Sequence, residues 1–168
     1  GATDSRDYLY VSSLENLQSK ITVYRFDDAT NAFILEGAHE AENCQTFSVG
    51  GAEPNSTNAL FASSSGFLNP STYLYSEVGG LKGIKNAQSL KSSSSWFDSE
   101  GMSVTLNEAT SKDGTKVPYF LVRAKGNDEN SGPKPTVLNG YGGFRINSLP
   151  SYSGSTGKAF LNLSLIHI

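Results

Sequence analysis

From Tyr8 to Tyr75 the chain alternates short apolar or β-branched runs with polar turn residues. Tyr8-Leu9-Tyr10-Val11 comes first. Ile21-Thr22-Val23-Tyr24-Arg25-Phe26 follows, with inward and outward residues alternating. Asp27-Asp28 supplies a turn before Ala32-Phe33-Ile34-Leu35. Thr46-Phe47-Ser48-Val49 ends at Gly50-Gly51, and Ala59-Leu60-Phe61-Ala62 and Thr72-Tyr73-Leu74-Tyr75 complete the series. Short runs of this kind, separated by Gly, Asp, Asn and Pro, predict antiparallel strands. No segment holds a 3.6-residue period long enough to predict a helix. A sandwich, a barrel and a propeller all fit. The six runs amount to about one and a half four-stranded propeller blades, a piece with open edges that cannot close on its own.

The character then changes. Gly79-Gly80-Leu81-Lys82-Gly83 and the stretch Ser89 to Ser95 are poor in core residues, and Ser92-Ser93-Ser94-Ser95 is flexible by composition. This places a domain boundary here, ending around Trp96-Phe97. Beyond it, Met102-Ser103-Val104-Thr105-Leu106 and Val117-Pro118-Tyr119-Phe120-Leu121-Val122 are strand candidates, joined through the hairpin signal Asp113-Gly114. Pro118 demotes the second of them to an edge or a bulge. Lys125 to Lys134 is a polar loop.

A further apolar run, Thr136-Val137-Leu138, breaks into Asn139-Gly140-Tyr141-Gly142-Gly143-Phe144. Two readings stand side by side. Asn139-Gly140 is a good type I′ hairpin dipeptide between Thr-Val-Leu and Phe144-Arg145-Ile146. Equally, a buried strand ending in a glycine-rich loop is where parallel-sheet enzymes place donors for a charged oxygen. Gly142 and Gly143 would let the chain turn with positive φ or pass close to a ligand. Tyr141 brings a phenol able to donate one hydrogen bond.

Composition narrows the class. Of 168 residues, 37% are hydrophobic and 17% charged, which is globular but polar. The net charge of −3 gives no nucleic-acid surface. Cys44 is the only cysteine, so a disulfide scaffold is excluded. No apolar run approaches a membrane span, and Gly1-Ala2-Thr3-Asp4 does not look like a signal peptide. The expected setting is cytoplasmic, with no membrane partner. No spacing of His, Cys, Asp or Glu fits a metal site, and no cofactor is expected. The chain does not begin with Met and reads as an internal piece of something longer.

Several of these stretches together resemble the prolyl oligopeptidase family of serine peptidases. They are Trp96-Phe97-Asp98-Ser99-Glu100-Gly101, Ser111-Lys112-Asp113-Gly114-Thr115-Lys116-Val117-Pro118-Tyr119-Phe120, Asn139-Gly140-Tyr141-Gly142-Gly143-Phe144 and, upstream, Leu68-Asn69-Pro70-Ser71-Thr72-Tyr73-Leu74-Tyr75. The resemblance runs from about Tyr8 to Leu161. It implies a mainly β fragment: the end of a β-propeller over 1–95, then the first strands of an α/β-hydrolase domain over 96–162. It implies a parent enzyme that cleaves short proline-containing peptides after proline, with a Ser-Asp-His triad between the two domains. By position, Tyr141 would complete the oxyanion hole and Phe144 would line the apolar pocket near the substrate proline. Gly-Tyr-Gly-Gly-Phe favours the prolyl branch over the oligopeptidase B branch, which usually carries Gly-Tyr-Gly-Ser-Tyr.

The triad itself is not in view. No serine has Gly both two before and two after it, and Ser155 comes nearest. His39 and His167 lack a recognisable acid or nucleophile partner and read as ordinary residues. Gly157-Lys158 does not complete a phosphate loop. The nucleophile is therefore expected beyond this chain. The ending 163–168, Leu163-Ser164-Leu165-Ile166-His167-Ile168, departs from the family pattern and reads as foreign. Oligomeric state is not legible. The competing class is a non-catalytic β-rich interaction module that keeps the fold signature alone. Both readings predict that the purified chain does not hydrolyse a proline-containing peptide. Turnover abolished by a serine-directed phosphonate would contradict this.

Overall fold

The computed structural model describes residues 1–42, 44–126, 132–144, 146–163 and 166–167. Of the expected polar loop and tail, 127–131, 164, 165 and 168 lie outside the described residues, as do 43 and 145. The architecture is mainly β, in three four-stranded sheets.

The first sheet is an antiparallel meander of β1 (Ala2–Ser5), β2 (Tyr8–Glu15), β3 (Gln18–Asp27) and β4 (Ala32–Glu40). The second is a meander of β5 (Gln45–Gly51), β6 (Leu60–Gly66), β7 (Thr72–Ser76) and β8 (Gln88–Ser92). All six expected strands are present. Two more, β1 and β8, complete the sheets, so the expected one and a half sheets are two. β1 is short and polar, and β8 is exposed along its whole length, so neither carries an apolar pattern. Each is paired along the backbone of its neighbour, and Ser5 and Ser92 add side-chain hydrogen bonds to Tyr10 and Thr72. The stretch read as poor in core residues thus contributes an edge strand. Helix α1 (Gly80–Lys85) fills the other part of it, too short to show a helical period.

The two meanders pack face to face. Tyr10, Ile21 and Val23 from the first meet Val49, Leu60 and Ala62 from the second, with Ile84 of α1 closing one end. Period-2 alternation puts these residues on one face of each strand. Full burial of such side chains is worth roughly 1.5–3 kcal/mol each. Tyr10 is fully buried, and its hydroxyl accepts the Gly80 N–H at 2.9 Å while lying 3.3 Å from Ser5 Oγ. Burial pushes its phenol up from the ordinary range, opposed by these hydrogen bonds. The β3–β4 register skips at Glu36, and the Leu81 N–H donates to the Glu36 carboxylate at 3.3 Å. A bulge therefore aims an acid at the first turn of α1, where the helix dipole favours it. A reciprocal pair ties the β1–β2 turn to the approach of β6: Asp7 N–H donates to Asn58 Oδ1 at 2.9 Å, and Asn58 Nδ2 donates to Asp7 at 2.6 Å.

The third sheet has the order β11-β12-β10-β9. β9 (Ser103–Thr110) and β10 (Lys116–Arg123) form an unbroken antiparallel hairpin. Pro118 pairs with Glu108, at a level where, among the described residues, β10 has a paired neighbour on its β9 side alone, in keeping with an edge position. β11 is only Thr136–Val137 and runs parallel to β12 (Ile166–His167), which itself pairs antiparallel to β10 at Val122. Among the described residues no helix is long and apolar enough to cross a membrane.

Tyr10→Phe removes one hydroxyl and leaves the Gly80 N–H without that acceptor in a buried place. We expect a loss of about 1–3 kcal/mol in the denaturant midpoint analysis. Tyr73→Phe, on a half-exposed ring stacked on Phe61, is the control and should change stability by less than about 0.5 kcal/mol. Equal effects would contradict the role given to the Tyr10 hydroxyl.

Candidate active site

The turn after β6 in the second sheet meets strands β9 and β10 of the third, together with the 96–102 and 152–161 segments. Phe97, Val122 and Leu161 are buried together, with Phe67, Leu68, Met102, Val104 and Tyr152 packed against them. Phe67 lies 5.5 Å from Phe120 between ring centroids, and Phe97 stacks on Tyr152 at 5.4 Å. Polar contacts set the register. Thr46 Oγ1 donates to the Pro150 carbonyl at 3.2 Å, Tyr152 N–H to Ser65 Oγ at 3.1 Å, and Trp96 N–H to the Tyr152 hydroxyl at 2.8 Å. Helix α2 (Gly154–Ala159) starts at Ser153, whose Oγ accepts the Thr156 N–H at 3.3 Å. It was not expected from sequence, being a single short turn. Its Gly157 packs so tightly on Phe97 that an added Cβ would lie 2.0 Å from Phe97 Cε1.

This docking leaves a cavity of about 760 Å³. One wall is β10, from Val117 to Phe120 with Val122. Leu138 to Tyr141, Ile146 to Leu149, Gly157 and Leu161 also line it. Phe67 and Leu17 reach it from the second and first sheets. Tyr141 lines the cavity while remaining 56% exposed. Phe144 is 89% exposed and is not among the lining residues.

The loop differs from the hairpin reading. A type I′ turn needs positive φ at Asn139 and Gly140, and neither has it. Among the described residues no strand follows the loop up to α2. Gly142 and Gly143 do not take positive φ either. The left-handed residue is Phe144, at φ 53°. The chain turns at the aromatic, and the Tyr141 ring lies over Gly143 at ordinary contact distance.

The other residues weighed from sequence lie apart. The His39 ring sits 4.6 Å from that of Phe47, and burial lowers its pKa. His167 is a backbone member of β12. Ser155 is in α2, its Oγ 3.2 Å from Ser153 Oγ. Cys44 is half-buried, which pushes its thiol up. Among the described residues no three His, Cys, Asp or Glu gather where they would hold a metal. Sequence reasoning missed Leu17, Phe67 and the 146–151 segment. The available signal was large apolar residues standing in turns, as Phe67-Leu68 do after Gly66.

Comparison with known proteins follows the same lines. No protein-family model matches the chain. An uncharacterized peptidase, y4nA, of Sinorhizobium fredii is 35% identical over 162 residues, 96% of this chain and 21% of that protein. The prolyl endopeptidase of Dictyostelium discoideum is 48% identical over 42 residues, 25% of this chain and 6% of its own. A solved post-proline cleaving enzyme from Rickettsia typhi superposes with a TM-score of 0.75 at 20% identity, over 99% of this chain and 23% of that one. The chain spans about a fifth of the length of the curated relatives it matches over most of its own length. It is thus related to peptidases. A further relative is named prolyl oligopeptidase A, and the structural neighbours include prolyl endopeptidases and oligopeptidase B alike, so the family the motifs implied is matched without a choice between its two branches.

The hairpin turn of the Lys-Asp-Gly-Thr motif carries a pH-sensitive group. The Asp113 carboxylate accepts from the Ser111 hydroxyl and from the Thr115 N–H at 3.0 Å, which holds its pKa down to about 2. The ionised form is the one bonded. Its contribution is present above the ordinary value of 3.8 and is lost as pH falls through about 2. An NMR titration should find Asp113 mostly ionised at about pH 3. Half-protonation near 3.8 would contradict the turn geometry. Separately, Gly157→Ala forces a methyl into the Phe97 ring and should cost about 1–3 kcal/mol, partly recovered by Phe97→Leu in the same chain. An additive double mutant would contradict this contact.

Proposed function

We propose that this chain is the part of a serine peptidase where a β-propeller, 1–95, hands over to the start of an α/β-hydrolase domain, 96–162. Short peptides are cleaved after proline, with the nucleophile and triad supplied outside this chain. The observation that carries the reading is the place of Tyr141. Its loop lines a cavity shared with β10 of the third sheet, which Leu17 and Phe67 reach from the first two, and where a peptide can be enclosed.

Two features support the propeller. Leu9, Tyr24 and Leu35 stand opposite one another across β2, β3 and β4, and the rings of Phe26 and Phe33 are 5.3 Å apart. Phe33 and Leu35 are more than half exposed. On the second sheet Phe61 stacks on Tyr73 and lies 5.2 Å from Tyr75. Each sheet therefore has a second apolar face, suited to another sheet beside it.

The chemistry assigned to Tyr141 follows from acyl transfer. Attack on a peptide carbonyl puts negative charge on its oxygen, and a fixed donor about 2.7–3.1 Å away stabilises that charge. In a cavity with apolar walls such a donor acts more strongly than in water. Phe144, by resemblance, meets the substrate proline. Its exposed ring is available for that contact once substrate or further chain covers it. In the intact peptidase, Tyr141→Phe should lower the single-turnover rate constant about 10²-fold or more while substrate affinity changes little. A rate within about twofold of wild type, with stability lowered by about 1 kcal/mol, would make Tyr141 a packing residue.

A further inference from the structure

Resting on the peptide-cavity reading above, we propose that Leu17, at the tip of the first sheet's β2–β3 hairpin, is a substrate-contacting residue. It selects for an apolar side chain in the bound peptide. Among the described residues it is the one member of the first sheet that lines the cavity holding Tyr141. A residue far from the Gly-Tyr-Gly-Gly-Phe loop in sequence thus faces the same space.

The backbone of this tip is unusual. β2 pairs with β3 up to Glu15↔Gln18, leaving Asn16 and Leu17 as the turn, with φ of 50° and 63°. Both positions are left-handed, as a type I′ turn requires. Asn suits that conformation, but the second position usually takes glycine, and a branched side chain is strained there. Leucine is held where glycine would turn more easily. Strain of this kind concentrates at ligand-contacting sites.

Core packing does not account for the side chain. Leu17 is absent from both buried clusters, and its neighbours Asn16 and Gln18 are exposed. Half-buried Leu17 adds apolar surface to a cavity whose other walls offer Leu138 and Tyr119. The same cavity is lined by polar residues, Asn139 and Ser148, beside the Tyr141 phenol. Apolar walls with a few polar groups suit an extended peptide, whose backbone needs hydrogen-bond partners and whose side chain needs apolar contact.

The test uses blocked proline-containing tetrapeptides in which leucine replaces alanine at one position at a time. In the intact peptidase, one position should show a kcat/KM preference for leucine that Leu17→Gly reduces about tenfold, as expected when an apolar contact is lost. Leu17→Gly relieves the left-handed φ, so the variant should fold at least as well as wild type. In the intact peptidase, the preferred peptide should shift the Leu17 methyl and Tyr141 ring resonances with one saturation curve. Preferences unchanged by Leu17→Gly at every position, shifts at Tyr141 without Leu17, or no binding would each overturn the proposal. The two readings fail separately. A peptidase that hydrolyses with unaltered preferences removes only the role of Leu17. Joint shifts at Leu17 and Tyr141, in a parent protein that does not hydrolyse, remove the hydrolytic reading and keep the contact.

Discussion

The face-to-face contact of the two meanders is the constraint on which the remaining structure depends. Tyr10, Ile21 and Val23 have no other place to be buried than against Val49, Leu60 and Ala62. That contact brings the loop after β6 to the side where the third sheet docks, because Phe67 and Leu68 extend from the end of β6. It also sets the β2–β3 tip beside the cavity. The Tyr10 hydroxyl adds direction to an otherwise non-directional contact by fixing the start of α1.

From the second sheet outward, the structure relies on small numbers of well-placed groups. The Trp96-Phe97 segment is clamped between α2 and Tyr152, with Gly154 and Gly157 allowing the approach. An added Cβ at Gly154 would lie 2.6 Å from Trp96 Cδ1, so both glycines of this short helix serve one contact. Hydrogen bonds from Thr46 to the Pro150 carbonyl and from the Tyr152 N–H to Ser65 tie residues 150–152 to the second sheet, and residues 146–149 line the cavity together with β10.

What was legible in the sequence follows the physics of burial. β2, β3, β5, β6 and β7 carry their own apolar alternation, so their existence could be read directly. β1 and β8 could not, because a polar edge strand is specified by its partner's unpaired backbone. α1 and α2 are too short for a helical period to emerge. At the candidate site, the position of Tyr141 was legible because it stands in a local glycine-rich motif that the cavity lining includes; the chemistry given to it is the proposal above. The turn at Phe144 was not legible, since the glycines beside it seemed the better candidates for positive φ. Leu17 and Phe67 could be placed only by tertiary docking, which no local pattern encodes.

In the function proposed above, the Tyr141 phenol serves the charge that forms on the substrate oxygen rather than the substrate itself. A peptide aldehyde ending in a proline residue forms a tetrahedral adduct with a nucleophilic serine, and so carries that charge. A plain product peptide does not. The direct measurement is the affinity of the intact peptidase for both compounds, in wild type and in Tyr141→Phe. The account predicts that the variant binds the aldehyde about 10²-fold more weakly while product binding stays within about twofold. Equal changes for the two compounds, or no change for either, would contradict it.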